Sequence, residues 1–110
     1  MLPLLPMLLY NITTKIDHVA HAKWLQWMQH AYIPHLMDSN TIEDYHLCRL
    51  RGVDESDGVT YALLLRFSSR PAFDIYQEKY ALDHQKMHDR EFKGKYVSFP
   101  SLLDVVAHGD

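Results

Sequence analysis

The sequence predicts an α+β domain of four strands and two helices, and three observations carry the prediction. Apolar and polar side chains alternate with a period of two in four stretches, the signature of half-buried strands. Large apolar residues recur at spacings of three and four in two other stretches, as on the buried stripe of a helix. Clusters of Asp, Ser, Asn and Gly lie between them, where turns are needed.

In chain order, Leu8 to Ile16 sets Leu8, Tyr10, Ile12 and Ile16 against Asn11, Thr13 and Lys15, and reads as the first strand. Asp17 is placed to cap the first helix with its carboxylate. Along that helix Ala20, Trp24, Trp27, Met28 and Ala31 share a face, until Pro34, which lacks an N–H and restricts Ile33, stops or kinks it. Asp38-Ser39-Asn40 supplies a turn. Thr41 to Val53 then forms the second strand, with His46, Cys48 and Leu50 on one side and Tyr45, Leu47, Arg49 and Arg51 on the other. The polar run Asp54 to Gly58 ends in Asp-Gly, suited to a hairpin turn with positive φ. In the third strand Val59, Tyr61, Leu63, Leu65 and Phe67 alternate with Thr60, Ala62, Leu64 and Arg66. Ser68-Ser69-Arg70-Pro71 opens the second helix, since serine caps and proline fits the first turn. Its stripe is Phe73, Tyr76, Tyr80, His84 and Met87, and Gly94 stands where a left-handed C-terminal position is required. Lys95 to Val106 is the fourth strand, its strongest apolar positions being Val97, Phe99, Leu103 and Val105.

The order strand, helix, strand, strand, helix, strand is the ferredoxin-like βαββαβ plan, with both helices on one face of a four-stranded antiparallel sheet. If the odd-numbered residues of the third strand face the helices, Ala62 and Leu64 point the other way from a central strand. Apolar area is worth about 25 cal/mol per Å² when covered, so a second copy of the sheet is the expected cover. Two such sheets face to face make a homodimer, a dimeric α+β barrel.

Length and composition narrow the function classes. A chain of 110 residues, 47% hydrophobic, suits a single domain. Residues 7–106 are assigned to it, with 1–6 as a loosely ordered extension before a functional start at Met7 and 107–110 as a tail. The opening Met1 to Leu9 is apolar but holds two prolines, no basic leader and no small-residue cleavage site, and is too short to span a bilayer. No membrane association is expected. A net charge of −3, with Lys and Arg scattered, lacks the basic footprint of a nucleic-acid binder. The single cysteine, Cys48, admits no internal disulfide and is expected to be a buried, inert thiol; a cytoplasmic location fits.

The residues Tyr10-Asn11-Ile12-Thr13, Asp17, Trp24-Leu25-Gln26-Trp27-Met28, Ile33-Pro34, Tyr80-Ala81, His88, Phe92, Gly94-Lys95 and Phe99 to Val106 together resemble a bacterial domain-of-unknown-function family, family 4286. The resemblance runs from about Met7 to Val106. It implies membership of the dimeric α+β barrel superfamily, which also contains small monooxygenases, heme-handling proteins and stress-response proteins. It names no reaction. The family tends to have His-Ile-Pro where this chain has Tyr32-Ile33-Pro34, and an arginine where it has Pro100.

In that superfamily a cavity often opens between helix and sheet, and aromatic walls with a few polar groups hold a flat organic ligand. Trp24, Trp27, Tyr32, Tyr61 and Tyr80 are the candidate ligand-binding residues, although a tryptophan stripe at helical spacing is ordinarily core. His30 and His88 are the candidate proton-transfer groups, because imidazole titrates near neutral pH. His84 and His88, four apart, are too few for a metal site, since zinc wants three or four converging ligands, and His18, His21, His35 and His108 read as solvated. Asp54, Glu55 and Asp57 lack a calcium-loop pattern. Arg49, Arg51 and Arg66 read as exposed ion-pair partners or as holders of a ligand carboxylate. Neither metal nor cofactor is expected. The function expected is a homodimeric small-molecule-binding or sensing module; the alternative is a small cofactor-independent monooxygenase or isomerase using a pocket histidine.

Overall fold

The computed structural model describes residues 7–109. The extension expected over residues 1–6 lies outside them. The elements are β1 (Leu8–Ile16), α1 (His18–Trp27), α2 (Ile33–Met37), β2 (Asp44–Arg49), β3 (Val59–Phe67), α3 (Arg70–Lys79), α4 (Ala81–Phe92) and β4 (Tyr96–Asp104). The strands form one antiparallel sheet in the order β2-β3-β1-β4. This is the βαββαβ plan, with each helix of the plan divided in two.

Residues paired directly across antiparallel strands share a face, so the register assigns every side chain. Val59, Tyr61, Leu63, Leu65 and Phe67 are buried under the helices, as their alternation predicts. β1 contributes Leu8, Thr14 and Ile16 to the same side, and α1 and α2 bring Ala20, Trp24, Ile33 and Leu36 against it. Tyr10 and Ile12 are only half-buried although they lie on the helix side of a central strand. A gap in the packing above them is the reason.

Three departures from the sequence expectations concern the course of the backbone. First, the helix does not end at Pro34. A wide π-turn, Met28–Tyr32, joins α1 to α2, and Pro34 falls in the first turn of α2. Proline cannot donate to a carbonyl four residues back and crowds it, and the wide turn accommodates both effects. The added residue rotates the stripe, so Tyr32 and Ile33 are buried where a regular helix would bury Ala31, which is exposed. Second, the expected single helix after Pro71 breaks at Tyr80, whose φ of −126° leaves the helical region. The buried stripe becomes Phe73 and Tyr76 in α3, then His84, His88 and Phe92 in α4. Third, the hairpin between β2 and β3 places its positive φ at Gly52 (75°) rather than Gly58. Gly58 is needed for closeness instead: a Cβ there would lie 2.8 Å from the Ile16 carbonyl oxygen.

The caps divide similarly. Ser69 accepts a hydrogen bond from the Ala72 N–H (3.2 Å) and Gly94 has φ +80°, both as expected. Asp17 makes no side-chain cap; its backbone N–H donates to the Lys95 carbonyl (2.9 Å), tying the start of α1 to the turn before β4. Cys48 is exposed rather than buried, because β2 is an edge strand and its side chain points to the helix-free face.

That helix-free face carries Leu9, Ala62, Leu64, Val97, Phe99 and Leu103. Phe99 is 61% exposed and Val97 68%. The stronger apolar side of β4 therefore faces away from the helices, while Ser98 and Pro100 face toward them. Among the described residues no helix is long and apolar enough to cross a membrane.

Candidate functional site

The gap above Tyr10 and Ile12 is a cavity of about 130 Å³ between the sheet and the helices. Its floor is two adjacent rows running across the strands. Leu47, Leu63, Ile12 and Pro100 are successive register partners in one row, and Tyr61, Thr14 and Ser98 in the next. Trp24, Met28 and Tyr32 wall it from α1 and the π-turn, Tyr76 and Gln77 from α3, and Ala81, His84, Gln85 and His88 from α4. The π-turn matters here, because it brings Tyr32 onto the cavity in register with Trp24 and Met28. Gln77, Gln85, Ser98 and Pro100 are exposed and form the rim. No lining residue carries a full charge.

The polar groups of the walls are paired among themselves. Trp24 Nε1–H donates to His88 Nε2 at 2.9 Å. His88 is therefore an acceptor at Nε2, and in its neutral form holds its proton on Nδ1. It is 8% exposed, and burial lowers its pKa from 6.5 to about 4 against a small opposing pull from Asp89. Tyr76 Oη and His84 Nδ1 are 3.0 Å apart, and the Tyr32 hydroxyl donates to the His84 carbonyl at 3.1 Å. Burial, and then the nearby His35, lower the His84 pKa, while burial raises those of Tyr32 and Tyr76 far above the ordinary phenol value. At neutral pH the four groups are uncharged. Tyr96, whose ring meets that of His88 edge-on at 4.2 Å, donates its hydroxyl to Asp89.

Tyr61 connects the cavity to the outside. Its ring packs on Trp24 with centroids 5.1 Å apart, and its hydroxyl lies 2.7 Å from Nε2 of the half-buried His21. His21 was expected to be solvated; in the fold it covers the outer end of a cavity residue.

The sequence candidates thus separate. Trp24, Tyr32, Tyr61 and His88 line the cavity. Trp27 and Tyr80 stand one layer back. Trp27 stacks on Tyr32 (4.9 Å) and meets His88 edge-on (5.6 Å), and Tyr80 lies parallel to His84 (6.1 Å) and Tyr76 (6.4 Å). His30 is exposed on the π-turn, outside the cavity lining. Thr14, Tyr76, His84 and Tyr96 were missed as site residues. Thr14 had a readable signal, being the one polar residue in the inward series Leu8, Tyr10, Ile12, Thr14, Ile16. Tyr76 and His84 were legible only as a stripe. Among the described residues no cluster of three or more His, Cys, Asp or Glu could hold a metal ion. Arg49 pairs with Glu55 through two hydrogen bonds (3.0 and 2.8 Å), and Arg66 with Asp44 (2.6 Å), both at the surface.

The fold is shared with solved structures of low sequence identity. A dimeric ferredoxin-like protein from an uncultured marine organism is 10% identical, with a TM-score of 0.69 over 94% of this chain and 99% of that one. A variant of SnoaB, a cofactor-independent oxygenase from Streptomyces nogalater, is 14% identical, with a TM-score of 0.64 over 92% and 95%. HapK from Hahella chejuensis is 13% identical, with a TM-score of 0.64 over 96% of each chain. No curated protein matches the sequence. The family model described as Domain of unknown function (DUF4286) matches residues 7–106, and the chain belongs to that family.

Proposed function

We propose that the protein is a homodimeric small-molecule-binding module whose cavity takes a neutral, single-ring aromatic ligand. The carrying observation is the lining: aromatic walls with uncharged hydrogen-bonding groups and no full charge. An ion that met no hydrogen-bond donor there would be desolvated without compensation, so a ligand that enters in its neutral form is favoured. The volume suits one ring, since a dry cavity of about 150 Å³ accepts benzene. Dimerisation through the helix-free face is supported by its exposed apolar residues and by the dimeric state of a protein sharing the fold.

Fluorescence titration with phenol tests the ligand reading, because Trp24 is in the wall and Trp27 directly behind it. Saturable quenching is expected, and Ile12→Trp, which fills the cavity from its floor, should abolish the added-ligand response. Binding that survives in that variant would place the ligand elsewhere.

A second reading, a cofactor-independent oxygenase- or isomerase-like enzyme, is favoured by the position of His88 in the wall and by the likeness of fold to SnoaB. His88 would hydrogen-bond the reacting oxygen. Oxygen uptake with hydroquinone, lost in His88→Gln, supports this reading; no uptake with the bound compound removes it for that substrate.

A further inference from the structure

The cavity holds three phenol or indole groups hydrogen-bonded to histidines, but the three pairs differ in where they lead. Trp24 with His88 and Tyr76 with His84 are closed inside: the histidines are 8% and 3% exposed. Tyr61 with His21 runs from the cavity wall to the surface, for Tyr61 is buried and His21 half-exposed. We propose that Tyr61 and His21 form the proton-exchange pair of this cavity, serving a hydroxyl-bearing ligand that lies against the Tyr61–Thr14 row. The inference rests on the ligand-binding reading above and adds to it the ligand's functional group and the route of its proton.

The transfer balances without an oxidant. The ligand O–H bond breaks as its proton passes to Tyr61 Oη, while the Tyr61 O–H bond breaks as its own proton passes to His21 Nε2. The products are a ligand oxyanion, an unchanged neutral Tyr61 and a protonated His21, which releases its proton to water. The transfer requires His21 to hold its resting proton on Nδ1, which leaves Nε2 free to accept from Tyr61 at 2.7 Å.

The surroundings suit these roles. Burial raises the Tyr61 pKa, keeping the phenol protonated at neutral pH, and Arg49 opposes that shift. Partial burial, then Arg49 and His18, lower the His21 pKa, with Glu55 opposing, so at neutral pH His21 is an unprotonated acceptor. Arg49 and Glu55 face it from neighbouring segments, and His18 stands at the start of its own helix, α1. Arg49 on β2 is bound to Glu55 in the β2–β3 connection, and His18 Nε2 lies 2.6 Å from the Glu55 carbonyl oxygen. Tyr96 with Asp89 also leads outward. A carboxylate, however, is a weaker base than imidazole, with an ordinary pKa of about 3.9 against 6.5, so it takes a phenolic proton less readily.

The test uses 4-nitrophenol, whose absorbance moves into the visible when it loses its proton, titrated against pH with the full chain. In the wild-type protein the transfer leaves the Tyr61 hydroxyl, held by His21, donating to the oxyanion, so the ratio of ionised to neutral bound probe at neutral pH should exceed that in Tyr61→Phe and in His21→Gln by about tenfold, which places the wild-type titration midpoint about one pH unit lower. Binding of the probe should persist in both variants because the cavity walls remain, weakened in Tyr61→Phe by loss of the hydroxyl contact, and Asp89→Asn should behave as wild type. Wild-type spectra in Tyr61→Phe and His21→Gln, with binding retained, overturn the proposal while leaving the ligand cavity standing. Loss of the ionised signal in Asp89→Asn instead assigns the exit to Tyr96 and also overturns it. Failure of the wild-type protein to bind the probe overturns the cavity reading, and this proposal with it. A His21 resonance that titrates identically in wild type and Tyr61→Phe by NMR shows the two groups uncoupled, an independent refutation.

Discussion

His88 shows how one buried side chain sets both the character of the cavity and a cost to stability. Its Nε2 accepts from Trp24, and a proton there would destroy that bond in a site with no carboxylate among the lining residues. The folded pKa is therefore about 4, against 6.5 for an ordinary histidine. Between those values the unfolded chain binds the proton and the folded one does not, so His88 makes stability fall as pH drops through that window and costs nothing above it. From pH 7 to pH 5 the expected loss is about 2 kcal/mol from this residue alone. Urea unfolding at the two pH values should show it, and His88→Gln should reduce the difference by about that amount, His84 contributing separately in the same direction. Trp24→Phe leaves His88 Nε2 without its donor and opens space beside Tyr61, and should cost about 2–3 kcal/mol at pH 7 by the same measurement. A cost below about 1 kcal/mol would mean that water replaces the indole at little expense.

At the scale of elements, the three interruptions each place something. The π-turn turns Tyr32 onto the cavity, and the break at Tyr80 lets α4 follow His84 with His88 and Phe92, where a continuous helix would bury Tyr80 and follow His84 with Met87. The close approach at Gly58 sets the β2–β3 connection against the end of β1, where Lys15 pairs with Asp57 at 2.5 Å. Gly58→Ala must push a methyl into a backbone carbonyl, which cannot swing aside as a side chain can, and should destabilise by about 1–3 kcal/mol. Gly94→Ala meets open space and suffers only from its φ of +80°, so its cost should be about 1 kcal/mol. Thermal melts of the two variants should rank them in that order. A milder Gly58→Ala would show that the connection moves away freely.

For the molecule as a whole, the two faces of the sheet have opposite tasks. One is covered by four helices and contains the cavity; the other leaves Val97, Phe99 and Leu103 in water and holds Asn11, whose buried Oδ1 has no partner among the described residues. Under the dimer reading, Phe99→Arg should yield a monomer by sedimentation velocity, because two-fold pairing places the new charge in an apolar interface. A wild-type sedimentation coefficient for that variant would move the interface elsewhere.

The sequence by itself determined the four strands, the inward faces of β1 and β3, the capping of α3 by Ser69, the left-handed position of Gly94 and the surplus of apolar surface on the second face. These follow from periods of two and from local backbone chemistry, which act within a few residues of themselves. It also brought Trp24, Tyr32, Tyr61 and His88 forward, in one group with Trp27, Tyr80 and His30, because large amphipathic side chains are few in so short a chain. The tertiary structure alone decided which of the aromatics line the cavity and which, like Trp27 and Tyr80, support its walls from behind. That sorting depends on helix phase, which the wide turn and the break at Tyr80 each reset. Neither break carries a distinctive local signal: Pro34 is as compatible with a stop, and Tyr80 follows neither glycine nor proline. Pairings such as Tyr61 with His21 and Trp24 with His88, separated by 40 and 64 residues, exist only once the sheet and helices are packed.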